Sequence, residues 1–140
     1  MKFTCTKTNF NNGINIALKA VPGKTTMPIL ECVVIEAKGD MVKLTTNDMQ
    51  LGIETKIPAE IEQDGIILVN AKMISEIVRR LPDDDVNFEV DENNNILLFC
   101  GKSKFNIPGI PHDEFPMLPK IEADKTIHIS QFTLKEMIRQ

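Results

Sequence analysis

Hydrophobic and polar positions follow two different periods along this chain, and the two periods succeed one another in a regular order. Residues 2 to 6 alternate as a strand does, and a helix-like spacing then continues until Pro22 and Gly23. The apolar positions of that helix are Phe10, Ile14, Ala17, Leu18 and Val21. Strand-like runs follow at 29 to 37, 41 to 46 and 51 to 57, separated by turn formers. The pattern predicts a strand, a helix and an antiparallel meander.

The same order of elements then repeats. A strand is predicted at 66 to 69, followed by a helix that ends at Pro82 and has the apolar face Ile74, Ile77, Val78 and Leu81. Three further strands are predicted at 86 to 90, 96 to 100 and 103 to 107. The two helices align at an offset of 64 residues, a period typical of repeated supersecondary units. We therefore predict an α+β fold with a duplicated β-α-β-β-β unit, its two helices packed on antiparallel sheets. Two unrelated helix-sheet units in one plain α+β domain are the alternative.

A change of composition marks the end of the second unit. Four of the eight prolines fall between Pro108 and Pro119, which predicts a connector. Beyond it, residues 126 to 129 have a strand pattern, and Leu134, Met137 and Ile138 form one face of a helix, 60 residues after the second. These two elements match the first strand and the helix of a third unit. We expect a first domain at residues 1–121 and a truncated second domain at 122–140.

Composition and motifs narrow the classes of function. The chain has 140 residues, 42% of them hydrophobic and 26% charged, as in ordinary globular proteins. It has no run of about 18 apolar residues and no apolar signal segment at its start, so we expect a cytoplasmic protein without membrane contact. Motifs for nucleotide phosphates or metals are absent, and the three cysteines are widely spaced, so no cofactor or metal is expected. An enzyme would have to use residues 112 to 114, with or without Cys100, but His112 has no orienting partner in sequence.

Charge is distributed unevenly along the chain. The net charge of −4 divides into +5 on the three helical segments (7–20, 71–81 and 130–140) and −9 elsewhere. On the second helix, Lys72 and Arg79 lie opposite the apolar face, and Arg139 has the matching position on the third. Solubility alone explains such cations on any single helix, but not their concentration on all three. A basic helical surface can bind a phosphate backbone without reading bases, and the lack of Tyr and Trp favours duplex over single strands.

Short motifs along almost the whole chain point to one family. They are Met1-Lys2-Phe3-Thr4, Thr26-Met27-Pro28-Ile29-Leu30, Thr46-Asn47-Asp48, Leu81-Pro82, Gly101-Lys102-Ser103-Lys104-Phe105 and Phe115-Pro116-Met117-Leu118. Together they resemble the bacterial DNA polymerase sliding clamp, the beta subunit of the replicative holoenzyme. The resemblance implies a non-catalytic processivity factor: a ring of two subunits, each with three similar domains, whose helices surround duplex DNA. It also implies that this chain is a fragment, and that the polymerase and the clamp loader bind domains missing from it.

The resemblance implies two sets of functional residues. Lys24, Lys72 and Arg79 match basic positions that contact DNA in the family, and helix geometry extends this set to Arg80, Lys135 and Arg139. The strand at 103 to 107 matches an edge strand that pairs with the other subunit. The interface residues expected from it are Lys102, Lys104, Phe105 and Ile107. Alternation equally allows Phe105 and Ile107 to lie in the domain's own core.

A free-standing protein-interaction module is the alternative function. It would use the same edge strand to add a strand from a partner. Binding to nucleic acid with a steep salt dependence would distinguish the clamp from this module.

Overall fold

A computed structural model describes residues 1–122 and 124–140. Its strands and helices are, in chain order, β1 (Lys2–Thr6), α1 (Lys7–Ala17), β2 (Cys32–Lys38), β3 (Met41–Asn47), β4 (Gly52–Pro58), β5 (Glu60–Gln63), β6 (Gly65–Asn70), α2 (Ala71–Arg80), β7 (Asp85–Val90), β8 (Asn95–Cys100), β9 (Ser103–Pro108) and α3 (Gln131–Arg139). Short 3-10 turns occupy Leu18–Ala20 and Pro28–Glu31. In this part of the chain, no helix is both long and apolar enough to cross a membrane.

The strands form two antiparallel sheets, with the orders β5-β1-β7-β8-β9 and β4-β3-β2-β6. Both predicted meanders are confirmed. The strand before each helix, however, pairs with the meander of the other unit: β1 pairs with β7, with Phe3 opposite Phe88, and β6 pairs with β2, with Val69 opposite Val33. This exchange joins the two units into one body, so neither unit forms a sheet of its own.

A single main hydrophobic core takes side chains from both sheets and from α1 and α2. The fully buried rings of Phe3 and Phe88 stack at 4.8 Å between centroids, and Phe10 of α1 meets both of them edge-on, at 6.2 and 6.1 Å. Ile74 and Val78 of α2 have no exposed surface. The predicted apolar faces of the first two helices are therefore confirmed.

Helix boundaries follow from side chains at their ends. Thr6, Asn70 and Ser130 precede α1, α2 and α3, and the side-chain oxygen of each accepts a hydrogen bond from the backbone amide three residues on. Within α1, Gly13 lies directly against the sheet, because a Cβ there would come within 2.8 Å of Ile57 and Leu44 side-chain atoms. The absence of a side chain lets α1 pack closely on β3 and β4.

The proline-rich segment after β9 packs on the protein surface and is not a free connector. Backbone groups of Ile110 and Leu68 exchange two hydrogen bonds of 2.9 Å, and the Phe115 ring is buried in a small second cluster. The Asn47 amide donates to the Pro116 carbonyl at 2.8 Å. These contacts hold the segment to the sheet β4-β3-β2-β6.

The secondary structure differs from the sequence prediction in three places. Residues 29 to 31 lie in a 3-10 turn that begins at Pro28, and β2 starts only after it. Strand β5 is missing from the prediction, because it has only four residues and Ile61 is the one apolar residue among them; pairing with β1 forms it. Residues 126 to 129 are not a strand: they pair with no other described segment, and an unpaired strand has no stable ladder. Ala123, within the predicted second domain, lies outside the described residues.

Candidate nucleic-acid interface and edge strand

The outward side of α2 exposes the cations predicted from the sequence. Lys72, Arg79 and Arg80 are all exposed, on the side away from the buried Ile74 and Val78. Seven residues separate Lys72 from Arg79, so they lie about 10 Å apart along the helix axis and within roughly 20° of each other around it. Because α1 packs beside α2, the two helices together form one layer on the sheets.

The two arginines of α2 share one carboxylate. Oε2 of Glu76 accepts a hydrogen bond of 2.7 Å from Nη2 of Arg79 and lies 3.4 Å from Nη2 of Arg80. Lys72 and Lys24, by contrast, form no ion pair with any residue that the structure describes. Counting charges along the sequence treated these cations as equal, but the structure leaves the lysines accessible and partly neutralises the arginines.

The outward face of α1 presents amides where α2 presents charges. Asn12 and Asn15 are exposed, and at the 64-residue offset they correspond to Glu76 and Arg79. Lys19, in the 3-10 turn after α1, is exposed as well. Asparagine side chains can donate to phosphate oxygens without adding charge. A count of charged residues missed this face, although the asparagines at 11, 12 and 15 recur at helical spacing in the sequence.

The remaining predicted cations occupy separate places. Lys24 is exposed in the loop that follows α1, where the Thr25 hydroxyl accepts from the backbone amide of Met27 at 3.0 Å. Lys135 and Arg139 are exposed on α3, and Arg139 lies 3.4 Å from Glu136. No residue of α3 is buried, so no packing positions its cations against those of α2.

Strand β9 forms one edge of its sheet, as the interface prediction requires. Lys102 and Lys104 are exposed, and Lys104 Nζ lies 5.3 Å from the centroid of the Phe99 ring on β8. Phe105 is partly buried against the core. Ile107 is only 1% exposed and belongs to the core itself. For Ile107 the structure therefore agrees with the core interpretation, because alternation along β9 points this side chain inward.

The residues considered for an enzyme do not form a site. Cys100 is buried, its thiol donates to the Pro82 carbonyl at 3.4 Å, and burial raises its pKa. The backbone carbonyl of His112 accepts a hydrogen bond from the Phe115 amide at 3.0 Å, within the packed proline-rich segment. Across residues 1–122 and 124–140, no three metal-ligating side chains cluster. The Cys100 thiol is buried among packed side chains, and neither it nor His112 has the arrangement of a reactive nucleophile beside a base.

Comparison with known proteins defines the class and then the family. The family model for the N-terminal domain of the DNA polymerase III beta subunit matches residues 1–119 of this chain. The beta sliding clamp of Bacillus subtilis (strain 168) is 40% identical over 148 residues, which cover 100% of this chain and 39% of the relative. Two antiparallel sheets with packed helices make this an α+β clamp domain. The chain belongs to the DNA polymerase III beta subunit family.

Solved structures agree with this assignment. The crystal structure of the DNA polymerase sliding clamp from Bacillus subtilis matches with a TM-score of 0.96 at 39% identity, over 100% of this chain and 39% of that one. A candidate DNA polymerase III beta subunit from Eubacterium rectale matches with a TM-score of 0.95 at 52% identity, over 100% and 38%. The chain thus spans about 39% of the length of the curated relatives it matches.

Proposed function

We propose that this chain is the N-terminal part of a processivity factor. The whole protein would form a ring that encircles duplex DNA and slides along it without sequence specificity, tethering the replicative polymerase. The observation that carries the proposal is the exposed basic side of α2, set beside α1 in a clamp-family fold. The role is that of a non-catalytic accessory subunit in the cytoplasm, associated with the nucleoid during replication.

A sliding protein needs weak, exchangeable contacts with phosphate. Lysine and arginine side chains bind phosphates by releasing condensed counterions, and bridging water can transmit such contacts. Long exposed side chains on a rigid helix suit this task, because they follow the backbone charge and read no base. The proposed DNA-contacting residues are Lys24, Lys72, Arg79, Arg80, Lys135 and Arg139.

The outer edge of β9 is the proposed subunit interface. An edge strand presents unpaired backbone N–H and C=O groups that a strand from another subunit can complete. Lys102 and Lys104 would meet acidic groups of the partner, and Phe105 would contribute its exposed part. Ile107 would support the strand from inside the core. Two subunits joined in this way would form a homodimeric ring. In each subunit a first domain at 1–121 would be followed by a second domain that begins at 122–140. The rest of the second domain would cover the apolar face of α3. The polymerase and the clamp loader would bind other parts of the whole protein.

Charge reversal in the 140-residue chain tests the DNA surface. Lys24, Lys72 and Arg79 are changed together to Glu, and duplex binding is measured by fluorescence anisotropy at several salt concentrations. We expect the affinity to fall by about tenfold or more and the slope of log K against log salt to decrease by about 2 to 3, since each phosphate contact contributes about 0.9.

A control with the same change in net charge accompanies this variant. Lys38, Lys56 and Lys120 are exposed and lie outside the helices, so their joint reversal to Glu should weaken binding much less. An equal loss in both triple variants would show that net charge, and no particular surface, controls binding.

Retention on DNA tests the ring. The whole protein, loaded on circular duplex, should remain bound through high salt and should dissociate once the circle is cut. Rapid loss from the intact circle would contradict topological linkage.

The alternative function, a free-standing interaction module, is favoured only by the exposed edge of β9. In that case the 140-residue chain would bind a partner strand through β9 and would show no salt-dependent binding to duplex DNA. Anisotropy of the unsubstituted chain therefore separates the two functions.

A further inference from the structure

We propose that Glu76 acts as an internal counterion that competes with DNA phosphates for Arg79 and Arg80 and so keeps the contact with duplex weak. This inference rests on the proposed function, because it assigns a tuning residue to the same surface. Its starting point is that one carboxylate oxygen, Oε2 of Glu76, meets both guanidinium groups, at 2.7 and 3.4 Å.

The three side chains lie where DNA would approach. Their side-chain exposures are 52% for Glu76, 64% for Arg79 and 76% for Arg80, so the ion pairs are open to solvent and to any ligand on the outer side of α2. A phosphate that binds either arginine must displace the carboxylate or lie close to it. At physiological salt the Debye length is about 8 Å, so the carboxylate repels a phosphate at contact distance.

Support of the helix alone accounts for part of this arrangement. Acid-base pairs at i,i+3 and i,i+4 stabilise many helices. Two features go beyond that role. A single carboxylate serves two arginines that both lie on the proposed DNA side, and the same pair recurs on α3, where Arg139 lies 3.4 Å from Glu136.

The repeat shows that these two positions are balanced in charge on every helix. An offset of 60 residues aligns Glu76 and Arg79 with Glu136 and Arg139, and an offset of 64 aligns them with the neutral Asn12 and Asn15. Each helix therefore has zero net charge at this pair of outward positions. Net positive charge comes from neighbouring positions such as Lys72, which has no ion pair among the described side chains.

The strength of an exposed ion pair suits an exchangeable contact. Such pairs change an equilibrium by about 1.4- to 5-fold. The carboxylate is therefore too weak a competitor to block phosphate binding. An arginine that binds a phosphate loses its ion pair with Glu76, and this loss slightly weakens its contact with DNA. A graded reduction of this size favours rapid exchange between successive phosphates.

The test compares two substitutions that change net charge equally. Glu76→Gln removes the carboxylate from the arginines and keeps the side-chain size. Glu92→Gln removes an exposed carboxylate in the turn between β7 and β8, which forms no ion pair with any described residue. Both 140-residue chains are titrated with a duplex oligonucleotide across a range of salt, with circular dichroism and the unfolding midpoint as checks on folding.

We expect Glu76→Gln to bind duplex about 2- to 5-fold more tightly than the unsubstituted chain, with a steeper salt dependence. Glu92→Gln should change the affinity much less. When Arg79 and Arg80 are both changed to Gln, adding Glu76→Gln should give no further gain.

Three outcomes overturn the inference while leaving the proposed function intact: no gain from Glu76→Gln, an equal gain from Glu92→Gln, or a gain that persists without the two arginines. If the unsubstituted chain itself shows no salt-dependent binding to duplex, the proposed DNA surface fails and the inference fails with it; the ring is tested separately, by retention of the whole protein on circular duplex.

Discussion

Helices α2 and α3 have nearly the same sequence pattern but different surroundings. Each begins after a side-chain cap, has one apolar face, and pairs an arginine with the glutamate three residues before it. In α2, Ile74 and Val78 are fully buried, at 0% exposure, whereas in α3 Leu134 is 45% and Ile138 is 76% exposed. The pattern specifies a helix in both cases. Of these two helices, only α2 packs against other residues that the structure describes.

This difference separates local from tertiary stabilisation. Burial of a large aliphatic side chain contributes about 1.5 to 3 kcal/mol, and α2 obtains this contribution at several positions. Caps and ion pairs are common to both helices but contribute less at each site. A helix of nine residues such as α3 is marginal without packing. The stability of α2 therefore depends mainly on its buried face, and substitutions at matched positions measure how much.

Truncation of the matched apolar residues should give the largest difference. Ile74→Ala removes a fully buried side chain and should lower the free energy of unfolding by about 2 to 5 kcal/mol, because a cavity remains in the core. Leu134→Ala in the same chain should change it by less than about 0.5 kcal/mol. Urea denaturation followed by circular dichroism measures both. Equal losses would mean that α3 is packed in solution.

Alkaline pH should lower the free energy of unfolding of the body formed by the two sheets, α1 and α2. The cause is its buried thiols, none of which lies in α3. Burial, with smaller contributions from Asp85 and Cys100, raises the pKa of Cys5 to about 12 from 9.0. Between pH 9 and 12 the unfolded chain therefore releases a proton that the folded chain retains, so the free energy of unfolding falls as pH rises. Below pH 9 this thiol has no effect.

A variant without the Cys5 thiol provides the control for this pH dependence. Cys5→Ala lowers stability at every pH because it removes buried volume, but its loss between pH 9 and 11 should be smaller than that of the unsubstituted chain. Urea titrations at several pH values give the two slopes. Parallel slopes would show that ionisation of Cys5 does not contribute.

Removal of the matched caps should give the smallest difference. Asn70→Ala deletes the acceptor for the Met73 amide and should lower the free energy of unfolding of the whole body by about 1 kcal/mol. Ser130→Ala deletes the acceptor for the Thr133 amide and should reduce only the helicity of α3, seen in backbone chemical shifts, with the global transition unchanged. A shift of the global transition by Ser130→Ala would place α3 in the cooperative unit.

The two β9 side chains show where sequence reasoning was incomplete. Alternation established that Phe105 and Ile107 share one side of the strand, but not whether that side faces a partner or the core. The structure buries Ile107 and leaves Phe105 partly exposed at the same edge. Likewise, the sequence showed Glu76 near two arginines on one helix, and only side-chain geometry showed that one oxygen serves both.

The sequence by itself determined the three helices, the two meanders and the basic side of α2, because periodicity and turn chemistry act over a few residues. Tertiary structure alone decided that β1 and β6 are exchanged between the two units, that the polar segment 60 to 63 becomes a strand, and that α2 is buried on one face while α3 is not. These outcomes depend on which distant segment supplies hydrogen bonds and apolar area, and no local pattern encodes that partner.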